Sequence, residues 1–158
     1  MKIKYFLLPL ILSTSNGHST DLFFSAGASI TNDNACSATL SNDIAVGINL
    51  TDQFASKITY SNLGECEYYL DNSYTTYVNE LTFLMHMASS DTFQLFFEGG
   101  YGYYKWTDDG FSGSDSTPIL GTGMSIKIND SWSWQARLKV YDIEETVLNL
   151  GASLTYNF

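Results

Sequence analysis

Basic residues, long apolar runs and histidine are all scarce in this chain. Of 158 residues only seven are Lys or Arg, against 17 Asp and Glu, and charged residues of both signs make up 15% of the total. An ordinary soluble domain carries roughly 25%. A chain this poor in base is not built to neutralise nucleic-acid phosphates, so no nucleic-acid partner is expected. A chain this poor in charge altogether is not covered by the usual water-facing surface. No stretch offers the roughly 18 consecutive apolar residues of a membrane-crossing helix, so a membrane role must come from strands. The two cysteines, Cys36 and Cys66, lack the paired thiolates or nearby histidines of a metal site. No metal or other cofactor is expected.

What is present begins with an export signal. Met1-Lys2-Ile3-Lys4 is basic, residues 5–12 are an apolar run too short to span a bilayer, and Gly17 and Ser19 precede a plausible cut. Residues 1–19 are therefore read as a signal peptide and residues 20–158 as one mature domain. Removing Lys2 and Lys4 leaves five basic residues and a formal charge of about −12. In an oxidising compartment Cys36 and Cys66 are expected to form a bridge, the alternative being two free thiols.

From Asp21 onward, apolar and polar residues alternate in segments of about ten, the pattern of a transmembrane barrel. Eight such segments cover residues 22–31, 41–50, 54–62, 77–87, 93–106, 118–128, 132–142 and 147–158. Short connections at 51–53, 88–92 and 129–131 alternate with long ones at 32–40, 63–76 and 107–117. Outer-membrane barrels keep short turns on the periplasmic side and long loops outside. The last outer connection, 143–146, is short. The expected fold is all-β, an eight-stranded antiparallel up-and-down transmembrane barrel.

Composition separates the faces. In the last segment Leu148, Leu150, Ala152, Leu154, Tyr156 and Phe158 suit lipid, and Asn149, Gly151, Ser153, Thr155 and Asn157 suit a narrow polar lumen. Phe54, Trp132 and Phe158 fall at periplasmic ends, where aromatic girdles sit. A soluble lipocalin-like barrel would also alternate, but its outer face would be dense in Lys and Glu, not Gly, Ser, Asn and Thr. The fifth segment puts aromatic groups on both faces around Gly99, Gly100 and Gly102. A bulge at these glycines is expected to reset its register.

The Phe97-Glu98-Gly99-Gly100-Tyr101-Gly102-Tyr103-Tyr104 segment and the ending from Leu150 to Phe158 resemble the small OmpA-like outer-membrane β-barrels. Within them the chain is similar to the accessory-colonisation-factor AcfA type. The resemblance spans the mature chain. It implies that Tyr156 and Phe158 are the signal read by the barrel-assembly machinery. No peptidoglycan-binding domain is expected after Phe158, so the tethering associated with full-length OmpA is not implied.

With these faces, Asp43, Lys57, Glu80, Glu98, Arg137 and Lys139 point inward and are expected to form an ion-pair network, since unpaired charges there would be costly. Glu80 and Glu98 lie almost symmetrically about the 88–92 turn and are expected to be near neighbours across it. Structural pairing is favoured over acid–base catalysis, because cations are available to neutralise both. His86 falls at the periplasmic end, the wrong rim for a lipid-modifying enzyme, so no enzyme activity is expected. The outer connections hold Glu65, Glu67, Asp71, Asp108, Asp109 and Asp115 with almost no base. Asp108, Asp109 and Asp115 lack the spacing of a Ca²⁺ loop and read as a solvated acidic face. A Cys36–Cys66 bridge would tie the first two outer loops together. The expected role is a monomeric, non-enzymatic surface protein, for adhesion, surface interaction or envelope integrity, with a narrow channel as the alternative. Its expected partners are outer-membrane lipid and lipopolysaccharide, the assembly machinery and a host or surface ligand.

Overall fold

The computed structural model describes residues 21–32, 38–68, 72–90, 92–108, 111–143 and 145–158. The signal segment, Cys36, Asp71 and Asp109 lie outside them. Eight strands follow in order: β1 (Leu22–Asn32), β2 (Thr39–Asn49), β3 (Phe54–Tyr68), β4 (Asn72–Ser89), β5 (Phe93–Asp108), β6 (Phe111–Lys127), β7 (Trp132–Ile143) and β8 (Glu145–Asn157). Each pairs antiparallel with the next, and β8 returns to β1, so the sheet closes into a barrel.

Three short turns join strands at the end that holds both Asp21 and Phe158, and each is closed by the same local device. A side-chain oxygen at the turn's start accepts backbone N–H groups that the ladder leaves over. Thr51 Oγ1 accepts from Gln53 at 3.2 Å and Phe54 at 3.0 Å. Ser90 Oγ accepts from Phe93 at 3.1 Å, and Asn129 Oδ1 from Ser131 at 3.0 Å and Trp132 at 2.9 Å. At the seam, the Phe158 N–H donates to the Leu22 carbonyl at 3.0 Å.

The wall is inside out relative to a soluble protein. Ile58 is 66% exposed and Tyr101 70%, whereas Glu80 and Lys139 are 1% exposed. Outward apolar residues form a continuous belt, and the charges point into the lumen. This decides against the soluble alternative, whose apolar face would be the buried one. Trp132, Tyr156 and Phe158 make an edge-on aromatic chain on the outer face, with ring centroids 4.9 and 5.0 Å apart.

Alternation runs unbroken through β5. The expected bulge at Gly99, Gly100 and Gly102 is absent: the β5–β6 register is continuous from Phe93 to Asp108. Three inward aromatic rings fit without it because each of them lies over a glycine directly across the ladder. Phe23 covers Gly47, Phe96 covers Gly123 and Trp106 covers Gly113, and at each glycine a Cβ would overlap the ring. Bulges occur instead between Asn62 and Glu65, where Gly64 adopts φ 95°, and between His86 and Ala88. A positive φ suits glycine because it has no Cβ to clash.

Strands β3 to β6 are also longer than their alternation suggests. Most of the expected outer loops at 63–76 and 107–117 are paired hairpin, from Glu65↔Thr75 to Tyr68↔Asn72 and from Thr107↔Ser112 to Asp108↔Phe111. These hairpins form a one-sided flange beyond the belt.

Gly47→Val should lower stability by about 1–3 kcal/mol through overpacking against Phe23. Urea unfolding in detergent micelles measures it. The Phe23→Ala, Gly47→Val double variant should lose less than the sum of the two single changes.

Candidate functional site

The lumen is built in three layers. Near the turns, Phe23, Ala55, Leu84 and Phe96 make an apolar plug. Toward the hairpins, Leu63, Val78, Tyr104, Ile119, Tyr141 and Val147 make a second, with Trp106 and Ile143 packed against it. Between them lie the charges. Lys57 Nζ is 3.0 Å from Glu98 Oε2, Lys139 Nζ is 2.6 Å from Glu80 Oε2 and 3.7 Å from Glu98 Oε1, and Arg137 pairs with Asp43. Glu80 Oε1 also accepts from Ser61 at 2.6 Å and from the Tyr141 hydroxyl at 2.8 Å. Removing one member of such a buried pair strands a charge and costs about 3–5 kcal/mol.

The carboxylates meet differently from the expectation. Glu80 faces Gly102 across the β4–β5 ladder and Glu98 faces Leu84, so the two acids are not cross-strand partners. Strand β4 continues through Ser89, which pairs with Gln94, so the hairpin folds beyond residue 89, the midpoint of Glu80 and Glu98. Lys139, arriving from β7, joins the two acids instead.

A second polar cluster at the β8–β1–β2 seam escaped the sequence reading. Asn149 Nδ2 donates to Ser29 Oγ at 2.8 Å, Thr31 Oγ1 at 2.9 Å and Ser41 Oγ at 3.1 Å. The signal was small polar residues at inward positions of the first and last strands, and only closure of the barrel brings them together. At the turn end the lumen opens into a vestibule of about 470 Å³ over the lower plug. His86 lines it, edge-on to Phe96 at 6.3 Å, and its Nδ1 has no hydrogen-bond partner.

At the other end, the acids expected in loops stand partly on strands. Glu65 and Glu67 belong to β3, Asp108 to β5 and Asp115 to β6. Ser73 Oγ donates to Glu65 Oε1 at 2.5 Å. Cys66 is buried on β3 among the lumen-facing residues, and no free cysteine occurs among the described residues. No cluster of three or more metal-ligating side chains occurs among them either.

Strand β6 pairs with β5 along its length but with β7 only from Ile119 onward, which leaves residues 111–118 as a sheet edge. That edge is blunted. Pro118 has no N–H, the Ser116 N–H is taken by Asp115 Oδ1 at 2.7 Å, and the Pro118 carbonyl by the Thr117 hydroxyl at 3.1 Å.

No family model and no curated protein matches the chain. Among solved structures it is similar to Neisserial surface protein A, with TM-score 0.68 and 10% identity, over 87% of this chain and 96% of that one. It is also similar to the N-terminal β-barrel domain of Pseudomonas aeruginosa OprF, with TM-score 0.63 and 15% identity, over 86% and 97% of the two chains. Ail, the attachment invasion locus protein of Yersinia pestis, aligns with TM-score 0.56 and 13% identity, over 88% and 97%. At such identities the likeness is one of fold. The chain has the small outer-membrane β-barrel fold.

Lys139→Met should destabilise the barrel by about 3–5 kcal/mol, because Glu80 loses its cation and Glu98 its second one. Adding Glu80→Gln should recover part of the loss. Denaturant unfolding followed by tryptophan fluorescence in micelles checks both.

Proposed function

We propose that this protein is a non-enzymatic surface barrel of a Gram-negative outer membrane, anchoring an acidic flange outside the cell. The observation that carries this reading is the pairing of an apolar outer belt with a lumen plugged above and below its charges. A wall that exposes Ile58 and Tyr101 is stable only against hydrocarbon, and a lumen filled by Phe96, Tyr141 and Ile119 leaves the hairpins as the functional surface. In this reading residues 1–19 are the export signal. Tyr156 and Phe158 are the assembly signal, and a Cys36–Cys66 bridge braces the first outer loop against β3. The mature barrel is a monomer in lipid and lipopolysaccharide.

Ail carries attachment in its name and has been seen with the heparin analogue sucrose octasulfate. The flange here is acidic, so a polyanion is a poor fit and a basic host or surface ligand a better one. An adhesive role also agrees with the accessory-colonisation-factor type. The alternative, a narrow channel, is disfavoured by the two apolar layers that close the lumen.

Purified protein should migrate anomalously on gels when unheated and should fractionate with the outer membrane. A soluble periplasmic product would overturn the membrane reading. In planar bilayers it should give no reproducible conductance steps, and regular steps would favour the channel.

A further inference from the structure

Outside the lumen, the hairpin end of the barrel carries a single base. Lys105 lies on the outward face of β5, exposed and with no ion-pair partner among the described residues. The remaining basic side chains of residues 20–158 are Lys57, Arg137 and Lys139 in the lumen and Lys127 at the turn end, where it pairs with Asp130 at 3.0 Å.

The neighbours of Lys105 are fixed by the ladder. Tyr77 is its direct partner on β4, Asn79 pairs with Tyr103 one step toward the belt, and Tyr60 on β3 pairs with Asn79. The Tyr60 and Tyr77 rings stack with centroids 6.0 Å apart and an interplanar angle of 18°, which holds the Tyr77 ring in place. Tyr103 and Asn79 are exposed beside them.

The height of this group is set by strand geometry. Phe93 to Tyr103 spans the apolar outward positions of β5. Ten residues at about 3.3 Å each, tilted by about 40°, rise roughly 25 Å, the height of the apolar band of such barrels. Lys105 stands one step beyond it, at the depth of lipid headgroups.

We propose that Lys105, with Tyr77, Tyr103 and Asn79, is a docking site for the phosphate of a membrane-lipid headgroup. The inference rests on the membrane reading above. An ammonium is a point-charge binder of phosphate, and the phenol hydroxyls and the carboxamide N–H₂ are neutral donors for its remaining oxygens. Tyrosine suits this depth, with its ring against acyl chain and its hydroxyl in the headgroup layer. The exposed acids Glu65 and Asp142 on the outward face repel anionic headgroups elsewhere along the rim and so favour this one position.

The test is native mass spectrometry of the folded barrel with lipid A bearing both phosphates and with its dephosphorylated form. Wild type should retain the phosphorylated lipid selectively. Lys105→Gln should weaken that retention roughly fivefold while Lys105→Arg keeps it. Tyr103→Phe, which keeps the ring and loses the hydroxyl, should weaken it roughly twofold. Equal retention by wild type and Lys105→Gln, or indifference to dephosphorylation, would overturn the proposal, as would displacement of the lipid by inorganic phosphate, which marks a site for the free ion. Anomalous gel migration of every variant shows that it has folded. Failure of the membrane reading would show separately, as wild-type protein absent from the outer-membrane fraction.

Discussion

Six charged side chains from five strands neutralise one another inside a closed wall. Asp43 comes from β2, Lys57 from β3, Glu80 from β4, Glu98 from β5, and Arg137 and Lys139 from β7. Among the described residues none has another charged partner within reach, and apolar layers separate them from both mouths. Each strand must therefore hold its register, because a slip by one residue would turn its charge to the outer face. The same alternation that places these charges inward places Ile58, Leu120, Leu138 and Leu150 outward. The belt and the network are two faces of one constraint.

Beyond the belt the wall changes character. The hairpins of β3 to β6 continue as paired strands although their outward residues are polar, so backbone pairing carries them where burial no longer does. The price of projecting a sheet is an open edge, and at β6 it is managed by Pro118, Asp115 and Thr117. At β3 the Thr39 hydroxyl reaches the Leu63 carbonyl at 3.1 Å, next to the bulge at Gly64. The flange is held open on one side of the barrel without presenting a bare ladder.

The eight strands and their facing could be read from the chain because lipid and lumen demand opposite side chains at alternate positions. Leu148 to Phe158 shows it plainly, as does the run from Trp132. The pattern loses its meaning where that demand ends. Residues 72–76 and 111–117 are rich in Ser, Thr, Asn, Gly and Asp on both faces, which is loop composition, and nothing local says that they pair. At β5, aromatics on both faces mimic a broken register. The relief lay in Gly113 and Gly123 on the next strand, outside any window centred on β5. The inward charges were legible one by one. That Lys139 joins Glu80 to Glu98, and that Asn149 gathers Ser29, Thr31 and Ser41, follows only from closure and shear.

The placement of cations has a consequence for how the wall is completed. Through β6 the chain has contributed three inward acids and one inward base, Lys57; both remaining cations arrive together on β7. Without β7 the inner surface of β1 to β6 would carry a net negative charge. Joining the β7–β8 hairpin neutralises the interior in the same step that closes the seam with β1. The same hairpin thus supplies both the missing positive charge and the closing ladder of the wall.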